Sequence, residues 1–426
     1  MRGRVSDGQR RLRRWLRGLS LLPAVCLAIA GGVAIALLAT WILRSLIHTS
    51  SKPADPIDIT KLSFTVAGGV GAAVALVVAY RRQRDIEQGR FVERFGAAAA
   101  QLGDHDVAVR IAGVYAMAGV ADESTGLRRQ QCIDVLCGYL RLPYSPELGS
   151  NHQSKLVLTE SHTGDDGSSN SQQERHLEFR QNDKEVRATI VRVIGDHLRD
   201  HEYSWSTCDF DFRSAQLQDV DLSRAVFGGT ARFNEATFAG DDTRFNEAKF
   251  SGDASFGGAT SAGTAWFIGA AFAYDTWFGG ATFAGDAWFG GATFAGTAWF
   301  KEATFAGTTS FIGATFAGDT WFMEATFAGD TRFNEATFSY DTSFNGARFS
   351  GDTLFDGARF AGSAWFKEAT FAGPARFAAT DFGSEPIAFE NPRQWGPPPP
   401  TFDWDDDFSK KPKNVTPHEW PPTPID

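Results

Sequence analysis

From Val226 to Phe382 the chain repeats an eleven-residue unit in which phenylalanine recurs at spacings of five and six. Ala281-Thr-Phe-Ala-Gly-Asp-Ala-Trp-Phe-Gly-Gly291 is a clean copy. Following the central apolar residue of each unit from Phe212 to Phe382 gives 32 centres, and Leu217, Leu222 and Ser261 are the three that are not Phe. Two residues before each centre stands a small or β-branched residue, as at Ala215, Ala281 and Thr320. Both positions must point inward. Apolar residues five and then six apart would walk around a 3.6-residue helix instead of holding one face. A tightly wound solenoid of short strands accommodates them, each side contributing two inward residues and a turn.

The stretch Ala215-Gln-Leu-Gln-Asp-Val-Asp-Leu-Ser-Arg-Ala-Val-Phe227 sets Ala or Val two positions before each central Leu or Phe. In this it resembles the pentapeptide-repeat family. The resemblance implies a mainly β fold, a right-handed quadrilateral β-helix with four units per coil. A coil then takes about 22 residues, and eight coils make a rod roughly 38 Å long at about 4.8 Å per stacked strand. We place this β-helix at residues 206–382.

Every second unit from Thr230 onward carries one extra residue: Thr230, Asp242, Asp253, Thr264, Asp275, Asp286 and so on to Pro374, usually preceded by Gly. These are turn formers, and we read them as widened corners in which Gly accepts positive φ while Asp and Thr bond neighbouring backbone. A stacked Asp column also suggests a cation site, but the neutral Thr interruptions argue against a repeated one.

A formal charge of −10 excludes a general nucleic-acid binder, which needs a basic footprint. The charge is uneven: residues 2–17 hold seven Arg against one Asp. This basic arm, residues 1–18, leads into an uncharged run from Leu19 to Leu43, and a second uncharged run follows from Leu62 to Tyr80. Each is long enough to cross a bilayer of roughly 30 Å as a helix. The loop between them, 44–61, has only Arg44, Lys52 and Lys61, whereas Arg81, Arg82, Arg84 and Arg90 follow the second run. The positive-inside rule therefore predicts a two-pass hairpin in the cell membrane with both termini cytoplasmic. Gly68, Gly69 and Ala72 offer a small-residue face for packing on the first span or on another copy. Cys26, Cys132, Cys137 and Cys208 show no paired spacing, so reduced thiols without a metal are expected.

Residues 81–205 read as a helical neck. Phe91, Phe95 and Leu102 fall at helical spacing. Val109, Ala112, Val114, Tyr115, Met117 and Ala118 make a second apolar segment, and Cys132, Ile133, Leu136, Cys137 and Leu140 a third. Asp104-His105-Asp106 separates the first two. A polar stretch at about 146–175 reads as a loop or disordered linker. A helix from Glu185 to Leu198, with Val186, Ile190, Val193, Ile194 and Leu198 on one side, is expected to cap the first coil near Trp205 and Phe210. The end of a β-helix needs a cap because it exposes unpaired backbone and a layer of rings. Residues 383–426 supply a second capping segment, with Phe389, Trp395, Phe402 and Trp404, and then a Pro-rich tail around Trp420 that is expected to be solvated. With its paired uncharged runs, Arg110-Ile-Ala-Gly-Val-Tyr-Ala-Met-Ala-Gly119 and the helix around Val191-Arg-Val-Ile194, the chain resembles membrane-anchored pentapeptide-repeat proteins of actinobacteria. That resemblance implies an architecture and no activity.

His197 and His201 sit four apart at a helix end, a spacing suited to a metal, yet no third ligand accompanies them and Asp196 and Asp200 fit a solvated face. No phosphate loop, nucleophile elbow or carboxylate pair stands out. We expect neither an enzyme nor a cofactor, and what remains is surface. The residue before each Phe points outward. Sorted by coil, one column reads Arg244, Trp266, Trp288, Ser310, Arg332, Leu354, Arg376, and its opposite reads Ser255, Trp277, Trp299, Trp321, Ser343, Trp365. The sides between them carry Thr293, Thr315 and Thr337, and Thr260, Thr282, Thr304 and Thr326. Threonine ladders suit exposed strands. Exposed tryptophans either bury area against a partner or stack on one another to stabilise the rod. The candidate interaction surface is thus Trp266, Trp277, Trp288, Trp299, Trp321 and Trp365.

The function expected is a non-catalytic, membrane-tethered scaffold that presents a rigid rod in the cytoplasm to a protein partner through its Trp faces. Two alternatives stand beside it: a DNA mimic that binds topoisomerase, as some pentapeptide-repeat proteins do in quinolone resistance, and a purely structural element without a lateral partner. Mimicry needs a strongly acidic rod. From Phe212 to Phe382 there are 19 acidic and 11 basic residues, and the Trp columns are read here as lacking acidic stripes.

Overall fold

Each small-x-Phe-x-x unit folds as a strand of two or three residues followed by a corner. In the computed structural model of the protein these strands stack into four parallel sheets of 10, 9, 8 and 7 strands. The model describes residues 56–144, 155–163, 170–178, 183–199 and 204–425, together with Leu37, Leu38 and Trp41. Apart from those three, the first uncharged run lies outside the described residues, as does the stretch 44–55. The sheet register pairs Trp277 with Trp299, Thr282 with Thr304, Trp266 with Trp288 and Thr293 with Thr315, so the coil is four-sided with the 22-residue period expected. Below, each side is named after one of its outward residues: the Trp277, Thr282, Trp288 and Thr293 faces, in chain order.

Rings fill the interior as four columns. Phe278 stacks on Phe300 at 5.0 Å, Phe289 on Phe311 at 4.9 Å and Phe294 on Phe316 at 4.9 Å, each pair within 10° of parallel. Neighbouring columns meet edge to face, as Phe278 does with Phe289 at 5.6 Å. Such pairs contribute about 0.5–1.5 kcal/mol beyond their buried area. From Phe227 to Phe377 the residue two before each ring lies beside it, buried as Ala or as Thr; Thr320 Oγ1 keeps its hydrogen bond by donating to Gly318 O.

Corners alternate between two designs. After the Trp277 and Trp288 faces the turn is tight: Ala281 N–H donates to Phe278 O at 3.0 Å, and the residue before the alanine has positive φ. Gly280, Gly291 and Gly313 occupy this position at φ 64–66°, and so do Glu302, Glu324, Glu335 and Glu368 at φ 58–60°. After the Thr282 and Thr293 faces the extra residue widens the corner, as expected. The glycine there serves a different purpose from the one expected. Among these corner glycines Gly240 alone has positive φ. The others are needed because coils touch: a Cβ on Gly285 would lie 2.7 Å from the backbone carbon of Gly263, and one on Gly318 would lie 2.5 Å from Gly296 O.

The solenoid continues past Phe382, where the sequence reading ends it. Ile387 pairs with Ala364, Gln394 with Thr370, Thr401 with Arg376, and Val415 with Ile387, adding a ninth turn and the start of another. These turns lengthen to as many as 28 residues, counted from Ile387 to its partner Val415, which hides them from a search for fives and sixes. The tail is also not left to solvent. Trp420 packs edge-on against Phe389, Trp395 and Phe402 at 5.0–5.8 Å, and Ile425 N–H donates to Pro392 O. Rings that would otherwise end the core in water give the tail its reason to fold back.

Two compact units are distinguished, residues 1–93 and 94–426. α1 (Pro56–Leu102) runs without a break through the second uncharged run, and proline at its first position is compatible with an N-terminus whose N–H has no partner in the helix. Among the described residues no helix is long and apolar enough to cross a membrane. In the second unit α2 (Val107–Asp122) is capped by Asp106, which accepts from Ala108 N–H at 2.8 Å, and α3 (Leu127–Leu140) follows. The apolar reading of α2 needs correction: Ala112 and Tyr115 face outward, while Arg110 is fully buried. Arg110 Nη1 donates to Asp183 Oδ1 at 2.6 Å, and Asp183 also accepts from Tyr139 Oη and Arg187 Nε. A buried charge is tolerated only when paired in this way.

The expected linker contains structure. β1 (Lys155–Thr163) and β2 (Asn170–Glu178) pair antiparallel, Leu158 opposite Arg175, because Leu156, Val157, Leu158 and Thr159 favour strand despite their polar surroundings. α4 (Asp183–Arg199) buries Val186, Ile190, Val193, Ile194 and Leu198 as expected, and Val191 and Ile194 lie over Phe212, Leu217, Leu222 and Phe233 of the first coils. Cys132, Cys137 and Cys208 are buried free thiols; burial pushes Cys132 up to about 11 and Cys137 up to about 12, so neither is poised as a nucleophile.

Candidate interaction faces

The outward columns come out in the order read from the sequence. Ser255, Trp277, Trp299, Trp321, Ser343 and Trp365 pair in register down one sheet, and Arg244, Trp266, Trp288, Ser310, Arg332, Leu354 and Arg376 down the opposite one. Alternation along each strand is the cause, since successive side chains point to opposite sides of a sheet. Rings at the central positions claim the interior, so the preceding residue faces out.

Mutual stacking accounts for only part of the two ladders. Trp266 and Trp288 are stacked at 5.9 Å and 15°, and Trp299 and Trp321 lie 5.9 Å apart but tilted by 31°. Among the described residues Trp277 makes no ring contact with Trp299, and Trp365 stands between Ser343 and Ala388 with no indole beside it. Trp277 is the most open of the six at 38% exposure. Ser310 and Ser343 are buried at 2%, so each ladder is interrupted by a covered residue. Trp266 Nε1 donates to Asp242 Oδ1 at 2.8 Å, whereas Trp299 Nε1 is buried without a partner.

The edges of the Trp277 face correct the sequence reading of charge. The wide corner entering this face carries Asp275, Asp319 and Asp341, and the tight turn leaving it carries Glu302, Glu324 and Glu368. The Trp column is therefore flanked by acids on both sides. Sorting only the residue before each Phe passed over them, although each stands within three residues of an outward position of this face. Two bases share the face: Lys301, 3.0 Å from Glu302 and with its pKa raised by that hydrogen bond, and Lys367. Exposed aromatics extend the surface at Tyr274 and Tyr340.

The remaining candidates do not converge. His197 stacks on Trp205 at 4.0 Å, with Val193 O 2.7 Å from Nδ1 and Asp122 Oδ2 3.3 Å from Nε2; His201 lies outside the described residues. Among the described residues no group of three His, Cys, Asp or Glu side chains is placed to hold a metal. Asp corners instead accept backbone N–H groups of the following coil, as Asp275 Oδ1 does from Thr297 at 2.9 Å. Gly68, Gly69 and Ala72 are exposed on α1, with open space around both glycines.

The model of pentapeptide repeats, in nine copies, matches this chain in overlapping stretches at 212–260, 245–293, 289–337, 333–381 and 355–391. No curated protein and no solved structure matches the chain.

Proposed function

We propose that this pentapeptide-repeat protein is a non-catalytic scaffold whose solenoid engages a protein partner through its lateral Trp faces. The observation that carries the reading is Trp277: a large indole held outward on a rigid strand, without a ring contact to Trp299 beside it, among residues whose burial would favour docking. The two ends of the solenoid are covered, by α4 at one and by Trp404 and Trp420 at the other, so the faces are what it offers. Arg244, Arg332 and Arg376 along the Trp288 face weigh against a DNA mimic, which needs acidity around the rod.

The scaffold is tethered, in this reading, to the cell membrane by Leu19–Leu43 and Leu62–Tyr80, with both termini cytoplasmic, as in the actinobacterial proteins it resembles. The charge asymmetry of the flanks supports this, as does the exposure of Leu76, Val77 and Tyr80 among the described residues. Gly68, Gly69 and Ala72 are then the surface for self-association in the bilayer.

Quantitative capture of crosslinked partners from native membranes tests the proposal, comparing the intact protein with one whose Trp266, Trp277, Trp288, Trp299 and Trp321 are all replaced by Ser. Circular dichroism controls for folding. A protein lost from the capture while the solenoid stays folded supports the interface; identical captures mean that the ladders are structural.

A further inference from the structure

Both Trp faces have acids at their edges, Asp286, Asp330 and Glu335 among those of the Trp288 face, but their outward columns differ, and that difference identifies the partner's chemistry. On the Trp288 face the outward column itself continues into Arg332 and Arg376. On the Trp277 face the column from Ser255 to Trp365 is uncharged and both of its edges are acidic. Between Asp275 and Glu368 six acids border it, against Lys301 and Lys367 alone.

We propose that the Trp277 face docks an extended, arginine-rich segment of a partner protein. The proposal rests on the lateral-face reading above and specifies what the face takes. Indole faces attract guanidinium and ammonium groups through the ring quadrupole. Trp277 offers such a ring in the open, and the tilt between Trp299 and Trp321 marks them as a looser pair than Trp266 and Trp288. The carboxylates stand in fixed positions. Asp275 and Asp341 each anchor Oδ1 on a backbone N–H of the next coil, which leaves Oδ2 to accept from a ligand. Among the described residues no cation forms a salt bridge with Asp319, and Glu324 feels Lys301 only through the longer-range attraction that helps raise the lysine's pKa.

Arginine suits this surface better than lysine, since a planar guanidinium stacks on an indole and grips a carboxylate with two parallel hydrogen bonds. The distance from Trp277 to Trp365 is four coil steps, about 19 Å, which an extended segment of about six residues covers. The column of rings, interrupted at Ser343 and edged by acids, thus matches a strand-like cationic peptide running along the solenoid axis.

Fluorescence anisotropy of the full-length protein with a labelled peptide of alternating Arg and Gly, about eight residues long, provides the test. Peptides with Lys or Glu in place of Arg serve as comparators. The Arg peptide should bind most tightly, the Lys peptide more weakly, and the Glu peptide not at all. Trp277→Leu combined with Trp321→Leu should weaken binding roughly tenfold, from two lost cation–π contacts. Asp319→Asn combined with Glu324→Gln should weaken it and reduce its dependence on salt. Thr293→Ser with Thr315→Ser, on a threonine face, should leave it unchanged. The acid pair replaces no ring, so it carries the test if the Trp variant fails to fold. Binding of the Glu peptide as tight as that of the Arg peptide overturns the proposal, as does equal weakening by the threonine-face pair. If crosslinked capture depends on the Trp residues but the Arg peptide ignores this face, the lateral-face function stands and the cationic partner falls. If capture is independent of the Trp residues as well, both fall.

Discussion

Asp286 Oδ1 accepts a hydrogen bond of 2.8 Å from the backbone N–H of Thr308, 22 residues further on and one coil along the solenoid. The same bond joins Asp330 to Asp352 at 3.1 Å and Asp341 to Ser363 at 3.2 Å. Wide corners break the backbone ladder, and these carboxylates restore a partner to the N–H groups left over. Asp286→Ala should therefore cost about 1–2 kcal/mol, the penalty of an unsatisfied amide, while Asp286→Asn keeps the acceptor and costs less. Urea unfolding of the two variants decides it: equal losses would mean that the charge, and not the acceptor, is what matters.

Two glycines only a few residues apart in the repeat should respond differently to alanine. At Gly291 a Cβ meets nothing within 4 Å, and only φ of +64° resists it, so Gly291→Ala should cost about 1 kcal/mol. At Gly318 a Cβ would press on the backbone of Gly296, which cannot move without parting two coils, so Gly318→Ala should cost more than about 2 kcal/mol. Thermal melts in which both variants behaved alike would contradict the division between turn glycines and contact glycines.

Ser261 pairs in register with Phe238 and Phe283, and it replaces the ring that would have stacked between them. A void of ≈ 10 Å³, lined by Phe238, Phe256, Phe267 and Phe283, remains beside it. Filling it through Ser261→Phe should raise stability by up to about 2 kcal/mol and raise the melting temperature. An unchanged melting temperature would show that the neighbours must shift to admit the ring.

Trp420 closes the last turn against Phe402, Trp404 and Trp395. A chain ending at Pro417 should unfold at lower temperature and associate through the rings it exposes. Sedimentation velocity beside calorimetry checks both, and a monomer with unaltered stability would return the tail to the role of a solvated extension.

Arg110 and Asp183 illustrate why the neck was less legible than the solenoid. They are 73 residues apart and meet in the interior. Helical periodicity reports which positions are apolar, and here it assigned Tyr115 inward and gave no sign that an arginine would be buried. In the solenoid, by contrast, each coil repeats the environment of the one before, so a local pattern is also a tertiary one. The two-residue strands, the four columns of outward residues and the gap at Ser261 could be read for that reason. The acidic borders of the Trp277 face stand two residues before and three after its outward positions, and a sort of those positions alone passed over them.

The alternation of five and six, with a ring at each centre and a small residue two before it, by itself determined a solenoid, its period and which tryptophans face out, because steric alternation along a strand leaves no other arrangement. Tertiary structure decided where that solenoid ends, and which glycines serve contact and which serve turning. Those outcomes depend on neighbours about 22 or more residues away in sequence, brought within a few ångströms only when one coil settles on the next.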